Sequence, residues 1–121
     1  METFPLAGLL DLRAGSGGPF LEFLRTADLS AGLYVLEAGA VDGQQPHTED
    51  EVYVILAGRA RFTAGTETRD VGPGDTIFVA AEVPHRFHDI TEELRIIVVF
   101  GPAEYTGATG ASRWDAETVE G

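Results

Sequence analysis

The 121-residue sequence contains no cysteine. Disulfide bonds, thiolate zinc sites and cysteine nucleophiles are therefore excluded. Long apolar runs are missing too, since none approaches the roughly 20 residues that a membrane-spanning helix needs. The first residues also lack the basic start and apolar core of a signal peptide. These absences predict a cytoplasmic protein that has no membrane partner.

Basic residues are scarce as well. Twenty acidic residues stand against eight basic ones, all of them arginine, and the formal net charge at pH 7 is −12. Binding to a nucleic-acid backbone requires a basic face, and anionic membrane surfaces attract basic segments. The charge therefore predicts a protein that binds neither nucleic acid nor a membrane surface.

Short runs rich in Val, Ile, Phe, Tyr and Thr make up most of the chain, and Gly, Pro or Asp interrupts them roughly every eight to twelve residues, which is typical of strands. The pattern predicts eight strands, at 20–26, 29–38, 51–57, 59–64, 67–71, 76–80, 84–90 and 94–100. Residues 57–59, 64–67 and 71–75 are interpreted as the turns between four of them. No segment has a convincing amphipathic helical pattern, so the predicted fold is an all-β, antiparallel jelly-roll β-barrel.

The whole chain, residues 1–121, is predicted to form one domain, because this length is enough for a single core. Residues 1–19 are interpreted as an N-terminal lead-in, 20–100 as the barrel and 101–121 as a C-terminal tail. The tail loses the apolar alternation, and we expect it to wrap the surface or to be partly loose.

Two short segments carry candidate metal ligands. His47 and Glu51 lie four residues apart at the start of a predicted strand, and Gln45 falls on the same face if the backbone is extended. His85 begins a later strand and shares its face with Phe87. Two histidines and one carboxylate can hold a divalent metal ion with open positions opposite, and Gln45 would add a neutral oxygen ligand. Spacing alone leaves a second interpretation open, in which His47 is an exposed loop residue and His85 a hydrogen-bonded strand residue.

Other polar residues near these ligands have simpler interpretations. Glu49 has the same parity as the candidates but lies in an acidic loop, so we expect it to be solvated. His88 falls on the opposite face from His85 and is predicted to lie at the surface or at an interface rather than to be a ligand. Glu82 and Asp89 are near His85 in sequence, and either could orient its imidazole.

The first of these segments resembles a motif of the cupin superfamily of small jelly-roll barrels, in its compact, RmlC-like single-domain form. That motif is G-x5-H-x-H-x3-4-E-x6-G. The matching residues here are Gly39, Gln45, His47, Glu51 and Gly58. Every spacing fits, and the one departure is that Gln45 replaces the first histidine.

The later segment resembles the second cupin motif, G-x5-P-x-G-x2-H-x3-N. Gly74 and His85 occupy the glycine and histidine positions. The proline, the second glycine and the asparagine are replaced by Ala80, Glu82 and Asp89. The two motifs together cover nearly half the chain and imply a cupin barrel.

The resemblance also implies a metal centre. His47, Glu51 and His85 match three of the family's ligands, and Gln45 stands at the fourth ligand position. Such a trio suits Fe(II), and also Mn, Ni or Zn. Because a glutamine oxygen is a neutral and weaker ligand than imidazole, Gln45 should lower the affinity for the metal.

Three functions fit this sequence. The predicted one is a metal-dependent enzyme of dioxygenase, isomerase or lyase type that acts on a small oxygenated organic molecule. The alternatives are a non-catalytic small-molecule-binding module and a structural barrel with a degenerate metal site. No catalytic residue beyond the ligands and no organic cofactor is predicted. Small cupins resemble one another in pairing through sheet faces or exchanged strands, so we also expect a homodimer.

Overall fold

A computed structural model describes residues 1–43 and 46–104. One helix is followed by six strands within these residues. The elements are α1 (Leu6–Ser16), β1 (Phe20–Arg25), β2 (Ser30–Leu36), β3 (Asp50–Ala64), β4 (Glu67–Val71), β5 (Thr76–Val79) and β6 (His85–Gly101).

The strands form one antiparallel sheet in the order β1-β2-β6-β3-β4, and β5 also pairs with β3. β6 follows one edge of β3, while β4 and β5 share its other edge at opposite ends. The predicted all-β antiparallel fold is confirmed. The predicted closure into a barrel is wrong for the described part of the chain, where the end strands β1 and β4 do not pair with each other. Strand number and spacing do not determine which strand edges meet.

The strand count differs from the prediction because two pairs of predicted strands are continuous. Residues 51–57 and 59–64 both belong to β3, and 84–90 and 94–100 both belong to β6. Gly58 does not form a hairpin turn but a bend inside β3, with φ +95°. The turn at 64–67 is confirmed, since Ala64 pairs with Glu67 across it.

Helix α1 lies within the segment interpreted as a lead-in. It shows no clear apolar stripe, and Leu9 is its only buried residue. Leu9 packs against Leu33 and Val35 of β2 on the outer face of the sheet. Gly17, with φ +81°, ends the helix in the left-handed conformation that glycine adopts without strain. In the described residues no helix has the length and apolar character needed to cross a membrane.

The main core lies on the inner face of the sheet. In the second half of β6 and on either side of the bend in β3, every second residue is buried, as expected for strands with one face toward a core. The buried positions of β3 are 51, 53 and 55 before the bend and 58, 60 and 62 after it. The largest fully buried apolar side chains of this core are Tyr34, Tyr53, Ile55, Phe87, Leu94, Ile96 and Phe100. The candidate ligands belong to the same inner face.

Two residues that depart from the second cupin motif have left-handed backbones. Glu82, at the glycine position, has φ +67°, and Asp89, at the asparagine position, has φ +48°. Asp tolerates this region through its short polar side chain, whereas Glu does so at a cost of about 1–2 kcal/mol. The Glu82 amide donates a 2.7 Å hydrogen bond to the backbone oxygen of His47, so this strained turn supports the ligand loop.

Replacing Glu82 with glycine should therefore stabilise the protein. We expect the free energy of unfolding in urea to rise by about 0.5–1 kcal/mol, because relief of the left-handed strain exceeds the added entropy of the unfolded chain. Glu82→Ala is the matched control, since it removes the exposed carboxylate but keeps the Cβ atom. A Glu82→Gly protein no more stable than Glu82→Ala would contradict the prediction.

Candidate metal centre

The three described candidate ligands come from two strands and one loop. His47 lies in the loop before β3, Glu51 is the second residue of β3, and His85 is the first residue of β6. The alternation of β3 directs Glu51 inward together with Tyr53 and Ile55.

The curvature of β3 and β6 brings these residues together. In the backbone register Glu51 pairs with Phe100 and His85 with Ala64, at opposite ends of the two strands. A straight strand with the 15 residues of β3 would span about 50 Å. The Nε2 atom of His85 nevertheless lies 2.7 Å from Oε1 of Glu51. The register shifts in the middle of β3 mark the bends that allow both strands to fold back over the core.

The carboxylate of Glu51 lies between two imidazoles. Its Oε1 is 2.7 Å from Nε2 of His85, and its Oε2 is 3.5 Å from Nδ1 of His47. The metal-binding atoms of the three side chains all lie within 4.8 Å of one another. The exposed fractions of His47, Glu51 and His85 are only 1%, 2% and 7%. The structure thus groups three predicted ligands, while Gln45 lies outside the described residues.

The ring of His85 is fixed by a contact on its outer nitrogen. Nδ1 lies 2.8 Å from the backbone oxygen of Val83. Because a carbonyl oxygen only accepts, Nδ1 carries a proton and Nε2 is the nitrogen presented to Glu51. The hydroxyl of Tyr53 lies 2.9 Å from the same Nε2. The backbone of Val83, rather than Glu82 or Asp89, orients this imidazole.

This donor set fits a divalent cation. Oε2 of Glu51 is buried and has no hydrogen bond from the described residues. A buried carboxylate oxygen in that state is costly, and a bound cation would relieve the cost. Two imidazoles and a carboxylate also form the facial set known from Fe(II) sites. His47, Glu51 and His85 are therefore suited to hold a metal ion.

Burial and neighbouring charges shift the pKa values of the group in opposite directions. Burial lowers the pKa of His47, but the Glu104 and Glu51 carboxylates outweigh it and raise the pKa to about 9. Burial raises the pKa of Glu51, but contacts with His47 and His85 outweigh it and give a net lowering. Burial also raises the pKa of Tyr53 well above its ordinary value, so its phenol stays neutral. Without metal at neutral pH, a protonated His47 faces an ionised Glu51.

Metal uptake at pH 7 should therefore release a proton. An imidazole must be neutral to bind a metal, and His47 holds its proton up to a pKa of about 9. We expect release of about one proton per ion, and an apparent affinity that rises with pH and levels off above about pH 9. Calorimetry in buffers of different ionisation enthalpy measures this release. Uptake at pH 7 without proton release would contradict the prediction.

The burial of two carboxylates, those of Glu49 and Glu104, was not predicted from the sequence. Glu49 is 2% exposed and accepts a hydrogen bond from Thr48, so the expectation that it is solvated was wrong. Its shared parity with His47 was the signal that pointed inward. Glu104 is 1% exposed, and its Oε2 lies 3.1 Å from Nε2 of His47.

No sequence signal identified Glu104, which belongs to the predicted surface tail. Ala103 and Glu104 are buried, so that prediction was wrong for the start of the tail. Residues 105–121 lie outside the described residues. His88 takes no part in the group, as predicted. Its Nε2 lies 2.7 Å from Oγ1 of Thr63.

Comparison with known proteins identifies the family. Residues 32–100, more than half of the chain, match the family described as Cupin domain. The chain belongs to the cupin family. The cupin resemblance of the two sequence motifs is thereby confirmed.

This cupin is 48% identical over 104 residues to the uncharacterized protein SCO3923 of Streptomyces coelicolor, a match that covers 86% of this chain and 99% of that protein. It is 38% identical over 72 residues to the dimethylsulfoniopropionate lyase DddQ of Ruegeria pomeroyi. The second match covers 59% of this chain and 34% of the lyase, so this cupin spans about a third of the lyase's length.

Solved structures agree with the family assignment. The crystal structure of the same DddQ lyase aligns with a TM-score of 0.59 at 30% identity, over 63% of this cupin and 39% of the lyase. TT1209 from Thermus thermophilus aligns with a TM-score of 0.66 at 22% identity, over 85% of this cupin and 99% of that chain. The second likeness shows a shared fold alone.

Proposed function

We propose that this cupin is a metal-dependent enzyme that acts on a small oxygenated organic molecule, with one divalent cation held by His47, Glu51 and His85. The observation that carries the proposal is the convergence of two buried imidazoles on one buried carboxylate, with all three ligand atoms within 4.8 Å of one another. Ionisable side chains are rarely buried unless they are paired or bind a metal.

A divalent cation at this position would supply a Lewis acid that polarises a substrate carbonyl or carboxylate, or lowers the pKa of bound water. The chain's own residues would fix the ion and leave coordination positions for substrate. Tyr53 adds a neutral hydroxyl beside His85. We extend the proposal to Gln45, which would supply a neutral oxygen to the metal or a hydrogen bond to substrate.

A cavity beside the group supports a small substrate. It has a volume of about 380 Å³ and lies between β4 and β5, where Phe62, Ile77 and Arg69 contribute to its lining. This volume is within the range of small-molecule pockets. The cavity does not include the three ligands, but the ring centroid of Phe62 lies 6.0 Å from that of His85. Phe62 therefore forms a shared wall between the cavity and the metal centre.

Among the three enzyme classes, the similarity to the DddQ lyase favours a lyase. The supporting match spans only about a third of that lyase, so dimethylsulfoniopropionate serves as a first probe substrate. Elimination from this compound would break its carbon–sulfur bond, with loss of a proton from the neighbouring carbon, and release dimethyl sulfide and acrylate.

The test begins with elemental analysis of protein purified without added metal or chelator. We expect substantial occupancy by Fe, Mn, Ni or Zn, and loss of that occupancy in His85→Ala. Turnover of the probe is then measured by gas chromatography of dimethyl sulfide. Failure of the wild-type protein to take up any of the four metals would contradict the proposed metal centre. Ligand binding that a chelator does not affect would favour a non-catalytic binding module.

We further propose that two copies pair through the outer face of β3, β5 and β6. Six neighbouring outward residues there carry no charge, between Asp50, Arg59 and Arg95, in a chain whose net charge is −12. They are Val52, Val54, Leu56, Phe78, Ile97 and Val99. Because the negative charges elsewhere repel a second copy, this uncharged strip is where two copies can approach.

Light scattering tests the dimer. We expect twice the mass of one chain for the wild type and a monomer for Phe78→Asp. Leu12→Asp is the matched control, because Leu12 on α1 is 64% exposed, as is Phe78. A monomeric wild type, or equal dissociation of both variants, would contradict the proposed interface.

A further inference from the structure

Glu104 is fastened to the strands around it. Its backbone amide donates a 2.8 Å hydrogen bond to Oγ of Ser30, the first residue of β2. Its backbone oxygen accepts a 2.6 Å hydrogen bond from Nη2 of Arg25, the last residue of β1. Ser30 and Glu104 are each 1% exposed. The segment after β6 is thus fixed by two backbone contacts of Glu104, and its buried carboxylate lies toward His47.

This carboxylate meets the edge of the His47 ring that is remote from Glu51. Oε2 of Glu104 lies 3.1 Å from Nε2, whereas Oε2 of Glu51 lies 3.5 Å from Nδ1. The two ring nitrogens are on different edges of the imidazole, so the two carboxylates contact different edges of His47.

The imidazole of His85 also contacts one oxygen on each edge, but the oxygen on its outer edge belongs to a backbone carbonyl and not to a carboxylate. Its outer nitrogen, Nδ1, is held by the backbone oxygen of Val83, and its inner nitrogen, Nε2, faces Glu51. Each imidazole therefore has one nitrogen against an oxygen acceptor outside the group and the other directed at the Glu51 carboxylate. For His47 the oxygen on the outer edge is Oε2 of Glu104.

We propose that Glu104 is a positioning residue of the metal centre, whose carboxylate accepts a hydrogen bond from Nε2–H of His47 and thereby presents Nδ1 to the metal. Metal-binding histidines commonly donate their other ring N–H to a carboxylate or carbonyl, which fixes the tautomer and the ring orientation. Glu104 lies beyond residues 32–100, which match the cupin family, so this chain supplies the contact from a segment outside the family match.

The inference rests on the proposed metal centre, and its test compares metal affinity among Glu104 variants. Binding of Co²⁺ is measured by competition with a chelator. We expect Glu104→Ala to bind Co²⁺ 10- to 100-fold more weakly, in roughly the range found for such outer contacts. Glu104→Gln should lose less, because its amide oxygen still accepts from Nε2–H. Glu92→Ala, which removes an exposed carboxylate, controls for the change in net charge.

The visible absorption of the cobalt protein separates positioning from direct ligation. If Glu104 acts through His47, Glu104→Gln keeps the band positions and intensities of the wild type. An altered spectrum would make Glu104 a ligand and overturn the positioning role, as would an affinity of Glu104→Ala within twofold of wild type.

A measurement on the metal-free protein covers the case in which Glu104→Ala folds poorly. Nuclear magnetic resonance of wild type and Glu104→Gln should show a slowly exchanging Nε2–H proton on His47, and absence of that proton in both would overturn the contact. A wild type that binds no metal would instead refute the proposed metal centre, whatever the outcome for Glu104.

Discussion

Glu51→Gln should weaken the binding of a divalent cation by about 100-fold or more. Glutamine keeps the shape of the side chain but removes the negative charge that faces both imidazoles, at 2.7 Å from His85 and 3.5 Å from His47. A change in an outer contact already costs 10- to 100-fold in affinity, and loss of the ligand carboxylate should cost at least as much. Competition with a chelator at fixed pH measures the difference.

Asp50→Asn is the matched control for this prediction. Asp50 is adjacent to Glu51 but exposed, and its carboxylate accepts a hydrogen bond from the Ala81 amide rather than facing the histidines. We expect an affinity within about threefold of wild type for this variant. Equal losses for Asp50→Asn and Glu51→Gln would mean that the net charge of the protein, and not a specific ligand, governs the binding.

Gly58→Ala should lower the free energy of unfolding by about 2–5 kcal/mol. A Cβ atom at Gly58 would lie 2.1 Å from the backbone oxygen of Glu93, and φ there is +95°. The left-handed backbone alone costs about 1–2 kcal/mol with a side chain. The clash adds about 1–3 kcal/mol, because backbone atoms of a paired strand cannot move aside without breaking the ladder.

Gly74→Ala separates the two contributions. Gly74 also has a positive φ, of +91°, but an added Cβ would meet no atom within 4 Å. Its replacement should therefore cost only about 1–2 kcal/mol. Urea denaturation of both variants measures the difference, and equal losses would show that the approach of Glu93 contributes nothing.

The metal group was largely predictable because its determinants are local. Parity on a strand places Glu51 with Tyr53 on the inner face, and motif spacing relates His47 to Glu51 without knowledge of the path between strands. The pairing of His85 with these residues came from the second motif rather than from the alternation. The alternation that begins with His85 and Phe87 ends at Asp89, which is exposed and has a left-handed backbone.

Three features were not predicted because they depend on tertiary structure: the bend at Gly58, helix α1 and the burial of Glu104. Gly58 has the same local signature in a hairpin turn and in a bend of a continuous strand, and only the approach of β6 distinguishes the two. Helix α1 lacks an apolar stripe because it covers the sheet with little more than Leu9 and Leu10. Glu104 follows the last strand without any periodic pattern, and its burial depends on contacts with Arg25 and Ser30, which are distant in sequence.

Because β3 and β6 bend back over the core, the proposed metal ion would also crosslink two distant parts of the chain. Glu51 and His85 lie at opposite ends of the register between these strands, so an ion held by both would close a long loop of chain. Closing such a loop restricts the unfolded ensemble in the way that a disulfide bond does. In a chain without cysteine, the ion would take the place of that bond. Its removal by a chelator would remove the crosslink between Glu51 in β3 and His85 in β6.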